Sequence, residues 1–232
     1  TTAFSVLSAT ASIQVQPADD APTIGTNTGA SVAEGAATVL SGSQLSVADS
    51  DNIAGSLVYS VTTSPAHGLL ERVGEPGTAV TSFTQADLNA EVIRYVHDGG
   101  ETTADSFTFL LSDGQSSVEG TFEITVTPVN DPPVIPPNAF QVPENAESGA
   151  IVGVVTIEDP DVGDHHSFSL LDGPSSAYFS INPETGEIRV VDGEGLNFEA
   201  QSIHELGVQV VDAEGVVAQG TVQIQLVDVN EA

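Results

Sequence analysis

The sequence predicts an all-β chain built as tandem Greek-key β-sandwiches, and three observations predict it. Apolar and polar residues alternate in runs such as "SLVYSV", "VIRYVHD", "SFTFLLSD", "GEIRVV" and "LGVQVVD". A period of two sends one face of each strand into a core. Gly, Pro, Asp and Asn separate the runs, as tight turns between short strands require. An alternating strand followed by an acidic, proline-bounded or asparagine-bearing stop then recurs along the chain.

That stop marks the repeats. In "SIQVQPADDAPTI" and "EITVTPVNDPPVI", Ile13, Val15, Pro17, Asp20, Pro22 and Ile24 recur as Ile124, Val126, Pro128, Asp131, Pro133 and Ile135, at a constant offset of 111. The end, "QIQLVDVNEA", repeats the pattern through Ile224, Leu226, Asn230 and Glu231. Between the stops, Glu34 precedes Asp49 and Glu144 precedes Asp159, each by 15 residues. A period of roughly 100 residues is too long for a solenoid and indicates tandem domains. Residues 1–19 read as the last strand of a preceding repeat, 20–131 as one domain and 132–232 as the next. "FTQADLNAEV" is the one helix-like stretch, long enough for one or two turns.

Composition narrows the function. There are 3 Lys+Arg against 33 Asp+Glu, a formal net charge of -30. The cations are Arg72, Arg94 and Arg189. Nucleic acid and anionic membrane surfaces are repelled by such a chain. Patterned hydrophobic residues, 40% of the total, argue for packed cores rather than disorder. Without cysteine, neither a disulfide framework nor thiolate chemistry is available. No apolar run reaches the length of a membrane span. The opening residues lack a basic signal-peptide region, so the chain reads as a segment of something longer.

The carboxylates are the chemistry. In "EDPD", Asp159 and Asp161 are held one residue apart by Pro160. Such a pair repels itself unless a cation sits between the oxygens, and the proline stiffens the chelating loop in advance. His165-His166 raises the alternative of zinc. Neighbours on a strand point to opposite faces, and no third ligand stands near in sequence, so zinc is not expected. Paired carboxylates also serve glycoside hydrolysis. These lie at domain ends and lack aromatic subsites, so no enzyme is expected. His97 reads as a strand-end residue, and Tyr59, Tyr95, Tyr178, Phe168 and Phe179 read as core or half-core.

Residues 132–232 resemble a cadherin domain through "VPENA", "DPDVGD", "INPETGEIRV", "LNFE", "VVDAEG" and "DVNEA". Residues 20–131 resemble the chondroitin sulfate proteoglycan (CSPG) repeat through "PAHGLL", "FTQADL", "YVHDGGE", "DSFTF" and "VNDPP". Tandem mixtures of the two are typical of very large bacterial adhesins secreted by type I systems. The resemblance implies Ca²⁺ at each junction between repeats. In the middle junction it implies Glu34 and Asp98 from the base of the first domain. Asn130 and Asp131 come from the linker, and Asp159, Asp161 and Asp212 from the top of the second domain. Motif matching to "LNFE" would choose Glu91 over Asp98. A strand running from Glu91 to Asp98 puts them roughly 20 Å apart, however, at about 3.3 Å per residue. Asp98 is therefore preferred, with Glu101 in reserve. The first domain's top implies Asp49, Asp51 and Asp113 facing Asp19 and Asp20, and the chain's end implies Glu144, Glu199, Asp228, Asn230 and Glu231. Pro128 stands where Asp228 stands, which implies fewer cations at the middle junction than at a full cadherin one.

The function expected is a Ca²⁺-rigidified extender of an extracellular, bacterial cell-surface adhesin, projecting a distal ligand-binding domain. Its partners are the neighbouring repeats of the same chain, and it is a monomer. The alternative is a module that itself grips a surface polysaccharide or a partner cell. Sugar sites stack rings on exposed aromatics, and 5% aromatics with no Trp equips the chain poorly. Homophilic adhesion as in animal cadherins would call for the N-terminal tryptophan anchor, which is absent.

Overall fold

The computed structural model describes residues 12–14 and 18–230. Most of the strand expected within residues 1–19 lies outside the described residues, as does Glu231. The chain divides into two compact units, Thr1–Thr127 and Pro128–Ala232. Asn130 and Asp131 therefore belong with the second unit, to whose loops they are hydrogen-bonded.

The first unit carries β1 (Thr23–Asn27), β2 (Ala30–Ala33), β3 (Ala37–Leu40), β4 (Leu45–Ala48) and β5 (Val58–Thr63). β6 (Gly68–Arg72), β7 (Ser82–Thr84), α1 (Gln85–Asn89), β8 (Ile93–His97), β9 (Ala104–Ser112) and β10 (Ser117–Thr127) follow. One sheet has the order β2-β10-β9-β5-β7, a second β3-β8-β6, and β1 pairs with β4. Side chains from these strands meet in one core, where Tyr59 stacks on Phe83 at 5.0 Å and Phe107 on Phe122 at 5.2 Å. α1 is the expected helix-like stretch. Thr84 caps it by accepting from the Asp87 N–H while the Asp87 carboxylate accepts from the Thr84 N–H, a capping box. The glycine of "PAHGLL" has a packing reason: a Cβ on Gly68 would lie 2.5 Å from the Tyr95 ring. The Tyr95 hydroxyl in turn donates to Asp105, which also accepts from the N–H groups of Ala66 and His67.

The second unit carries β11 (Asn138–Pro143), β12 (Ile151–Val154), β13 (Ser167–Leu170), β14 (Phe179–Ile181), β15 (Glu187–Val190), β16 (Ile203–Val211) and β17 (Val217–Val227). A four-stranded sheet, β11-β17-β16-β13, faces a three-stranded one, β12-β15-β14, across an aliphatic core that includes Ile188, Val208, Val210, Val222 and Ile224. The all-β sandwich is therefore the fold of both units.

One pairing positions the functional ends. β2 lies parallel to the last residues of β10, and β11 parallel to the last residues of β17. A strand near the start of each unit thus runs in the same direction as the strand that leaves it. The chain enters one end of each sandwich and exits at the other, so the loops at both ends flank the path of the chain.

Candidate metal centres

In the first unit, four carboxylates lie at the end where the chain enters, with Asp113, Asp49 and Asp51 near enough to bear electrostatically on Asp19. Asp49 follows β4, and its Oδ1 accepts from the N–H groups of Asp51 (2.8 Å) and Asn52 (2.9 Å). Asp113 follows β9, and its Oδ1 accepts from Gln115 (2.6 Å) and Ser116 (2.7 Å). Those N–H groups hold the Asp113 carboxyl below its ordinary range. Each loop thus fixes one carboxylate oxygen with backbone donors. The other two, Asp49 Oδ2 and Asp113 Oδ2, are buried and have no hydrogen-bond partner. Asp51 Oδ2 accepts from the Asp20 N–H at 2.8 Å, and Asp19 accepts from the Gln115 side chain at 2.8 Å. Desolvation by neighbouring groups, then the negative field of Asp113, with smaller contributions from Asp49 and Asp51, pushes the exposed Asp19 carboxyl up against the opposing Ser116 hydrogen bond.

The second unit repeats this arrangement. Asp161 Oδ2 accepts from the Asp131 N–H at 2.7 Å, and Asp159 Oδ1 from the Asp161 N–H at 2.9 Å. Asp212 follows β16, and its Oδ1 accepts from the Val216 N–H at 2.7 Å. The outward oxygens differ from those of the first unit. Asp159 Oδ2 lies 2.6 Å from His166 Nε2, and Asp212 Oδ2 accepts from Asn130 Nδ2 at 2.8 Å. Burial raises the Asp212 carboxyl, but the Asn130 and backbone donors outweigh it and the net direction is down. Asp159, Asp164 and His166 bring ligand atoms within 4.8 Å of one another, as do Asp164, Asp212 and Glu214. The sequence reading missed His166, Asp164 and Glu214. It treated His165 and His166 as strand neighbours, whereas both precede β13 in a loop, where alternation does not apply. Asp164, two residues from His166 in "DHH", was the available signal.

At the opposite end of the second unit, Glu144, Glu199 and Asp228 bring one oxygen each within 4.8 Å. Glu144 is buried, and its two oxygens accept from Val229 and Phe198 N–H groups at 2.8 and 2.7 Å, which lower its carboxyl. Asn230 is exposed beside them in sequence. At the corresponding end of the first unit, Glu34 and Glu101 bring oxygens within 4.8 Å. Asp98 instead accepts from the Gly100 N–H at 3.0 Å and stands 4.0 Å from His67 Nδ1.

None of the chain's three arginines serves these ends. Arg72 pairs with Asp87, Arg94 with Glu71 and Arg189 with Glu187, each within a single unit.

Both β-sandwich units have matches among known proteins. Residues 22–126 match a family model described as cadherin-like, and residues 138–227 match the cadherin domain. The chain carries two cadherin-like domains. Over 121 residues it is 40% identical to the human "Extracellular matrix organizing protein FRAS1", covering 52% of this chain and 3% of that one. Over 111 residues it is 38% identical to human "Chondroitin sulfate proteoglycan 4", covering 47% and 5%. Such relatives are animal proteins, and this chain spans only a small part of each. Among solved structures, mouse Cadherin-23 EC22-24 superimposes with a TM-score of 0.54 at 21% identity, covering 91% of this chain and 68% of that one. At that identity the likeness is one of fold.

Proposed function

We propose that these two cadherin-like domains are a Ca²⁺-rigidified extender segment of a cell-surface adhesin, extracellular and of bacterial type, that carries a distal ligand-binding domain away from the cell. The observation that carries the calcium reading is the pair of buried, unpartnered oxygens, Asp49 Oδ2 and Asp113 Oδ2. A buried carboxylate oxygen without a donor is costly, and the expected remedy is a cation. Ca²⁺ takes six to eight oxygens at about 2.3–2.6 Å, mixing carboxylates, carbonyls and water. The donors here are almost all oxygen, His166 being the exception. Asp19, Asp49, Asp51 and Asp113 would hold an ion in the first unit. Asp131, Asp159, Asp161 and Asp212 would do so in the second, and Glu144, Glu199 and Asp228 at its far end.

Glu34 and Glu101 would hold an ion at the end where the chain leaves the first unit. The Glu34 N–H donates to Thr127 O at 2.9 Å, so Glu34 sits where the chain leaves that unit. The extender reading draws on the parallel strands, since a domain entered at one end and left at the other adds length with each copy. Neighbouring repeats are then the partners. The sugar-binding alternative finds little support: among the described residues no aromatic side chain is exposed.

Thermal unfolding tests the calcium reading. A ligand of the folded state stabilises by about 2.7 kcal/mol per site at 100 times Kd, and extracellular modules bind at roughly 10⁻⁴–10⁻³ M. Melting should therefore rise clearly between EGTA and Ca²⁺ at the 10-millimolar scale, and less in Asp49→Asn. Identical melting in both conditions refutes it.

A further inference from the structure

The first unit holds a buried histidine that no acidic motif explains. His97 ends β8, and its side chain is 0% exposed. Both ring nitrogens are committed. Nδ1 accepts from the N–H groups of Gly35 and Gly99, each at 3.2 Å. Two donors on one nitrogen require its lone pair, so the ring proton is on Nε2, which donates to Thr102 Oγ1 at 2.8 Å. Gly35 and Gly99 have φ of 64° and 84°, left-handed conformations that direct these N–H groups inward. The ring therefore joins two loops, and each contact is one residue away from a carboxylate: Gly35 follows Glu34, and Thr102 follows Glu101.

We infer that His97 is the positioning residue for the Glu34–Glu101 pair, setting the separation of two carboxylates it does not itself replace as a ligand. The inference rests on the calcium reading of that end. Filling a core does not require this ring, because Phe has a similar volume. An apolar ring can neither accept the Gly35 and Gly99 N–H groups, which belong to the two loops, nor donate to Thr102.

The test is calorimetric Ca²⁺ titration of the full chain, with Glu101→Gln marking the binding step that belongs to this end. Changes to groups that orient ligands typically cost ten- to a hundredfold in affinity. His97→Phe should weaken the marked step at least about tenfold. Thr102→Val, which removes only the Nε2–H acceptor and should fold in any case, should weaken it in the same direction. His97→Asn places an acceptor oxygen near the Nδ1 position and should bind more tightly than His97→Phe, whatever either does to melting in EGTA. Wild-type affinity in both His97→Phe and Thr102→Val, or no recovery in His97→Asn, overturns the positioning role and leaves the calcium reading standing. A wild-type chain that takes up no Ca²⁺ overturns both.

Discussion

The backbone N–H of Asp131 donates to Asp161 Oδ2 at 2.7 Å, and 111 residues earlier Asp20 donates to Asp51 Oδ2 at 2.8 Å. In both units the incoming chain is tied to the second aspartate of the D-x-D loop before it reaches its first strand. The tie leaves the other Asp161 oxygen available and fixes the direction from which a cation would be approached.

Asp161→Asn therefore has a defined consequence. The amide keeps the side chain's size but loses the charge and one acceptor oxygen. Ca²⁺ affinity of the second unit should fall by about tenfold or more, as read by calorimetry. Ion-free stability should change by no more than about 0.5 kcal/mol, as for most surface substitutions. Unchanged affinity would remove Asp161 from the ligand set.

His204 supplies a pH dependence unrelated to calcium. It is buried, its Nδ1 lies 3.3 Å from Ser175 Oγ, and the rings of Tyr178 and Phe179 pack against it edge-on. Burial pushes its pKa below the ordinary 6.5. The unfolded chain then binds the proton more readily. Stability from the neutral ring is complete above pH 6.5 and is lost as pH falls below it, by at most about 1.4 kcal/mol per pH unit. Urea midpoints of the calcium-free chain between pH 7.5 and 5 should show this slope, and His204→Leu should flatten it.

Asp87 acts at lower pH. The Arg72 guanidinium at 2.9 Å, with the Thr84 N–H and hydroxyl, pulls its carboxyl down to about 2, against a smaller effect of burial. A group depressed on folding stabilises above its unfolded value near 3.8 and loses that contribution as pH falls through 2. Discounted for solvent around the partly exposed Arg72, the contribution is about 1–2 kcal/mol. Asp87→Asn should cost that much at pH 7, with the deficit narrowing between pH 4 and pH 2 in the same urea assay.

The five alternating runs quoted from the sequence fall in β5, β8, β9, β15 and β16, because alternation is a local property that a buried face enforces. The acidic ends were legible for a related reason: Asp49, Asp113 and Asp212 each directly follow a strand, and Glu34 to Asp49 and Glu144 to Asp159 keep the same spacing of 15 residues. Asp98 and Glu101 were harder to separate. The chain between them turns through Gly99 at positive φ, and the direction of a carboxylate after such a turn has no sequence period. His166 escaped for want of a strand boundary, and His97 because the Gly35 N–H it accepts lies in a loop remote in sequence. Tertiary hydrogen bonds of that kind leave no periodic trace.

The extender claim turns on whether Ca²⁺ stiffens the tandem. Without a cation, like charges a few ångströms apart repel by about 1 kcal/mol per pair in water and more beside protein. Small-angle X-ray scattering of the full chain in EGTA and in millimolar Ca²⁺ tests it directly. A broad distance distribution is expected without the ion and a narrower, more elongated one with it, the change needing much more Ca²⁺ in Asp161→Asn. Superimposable wild-type distributions in the two conditions would contradict it.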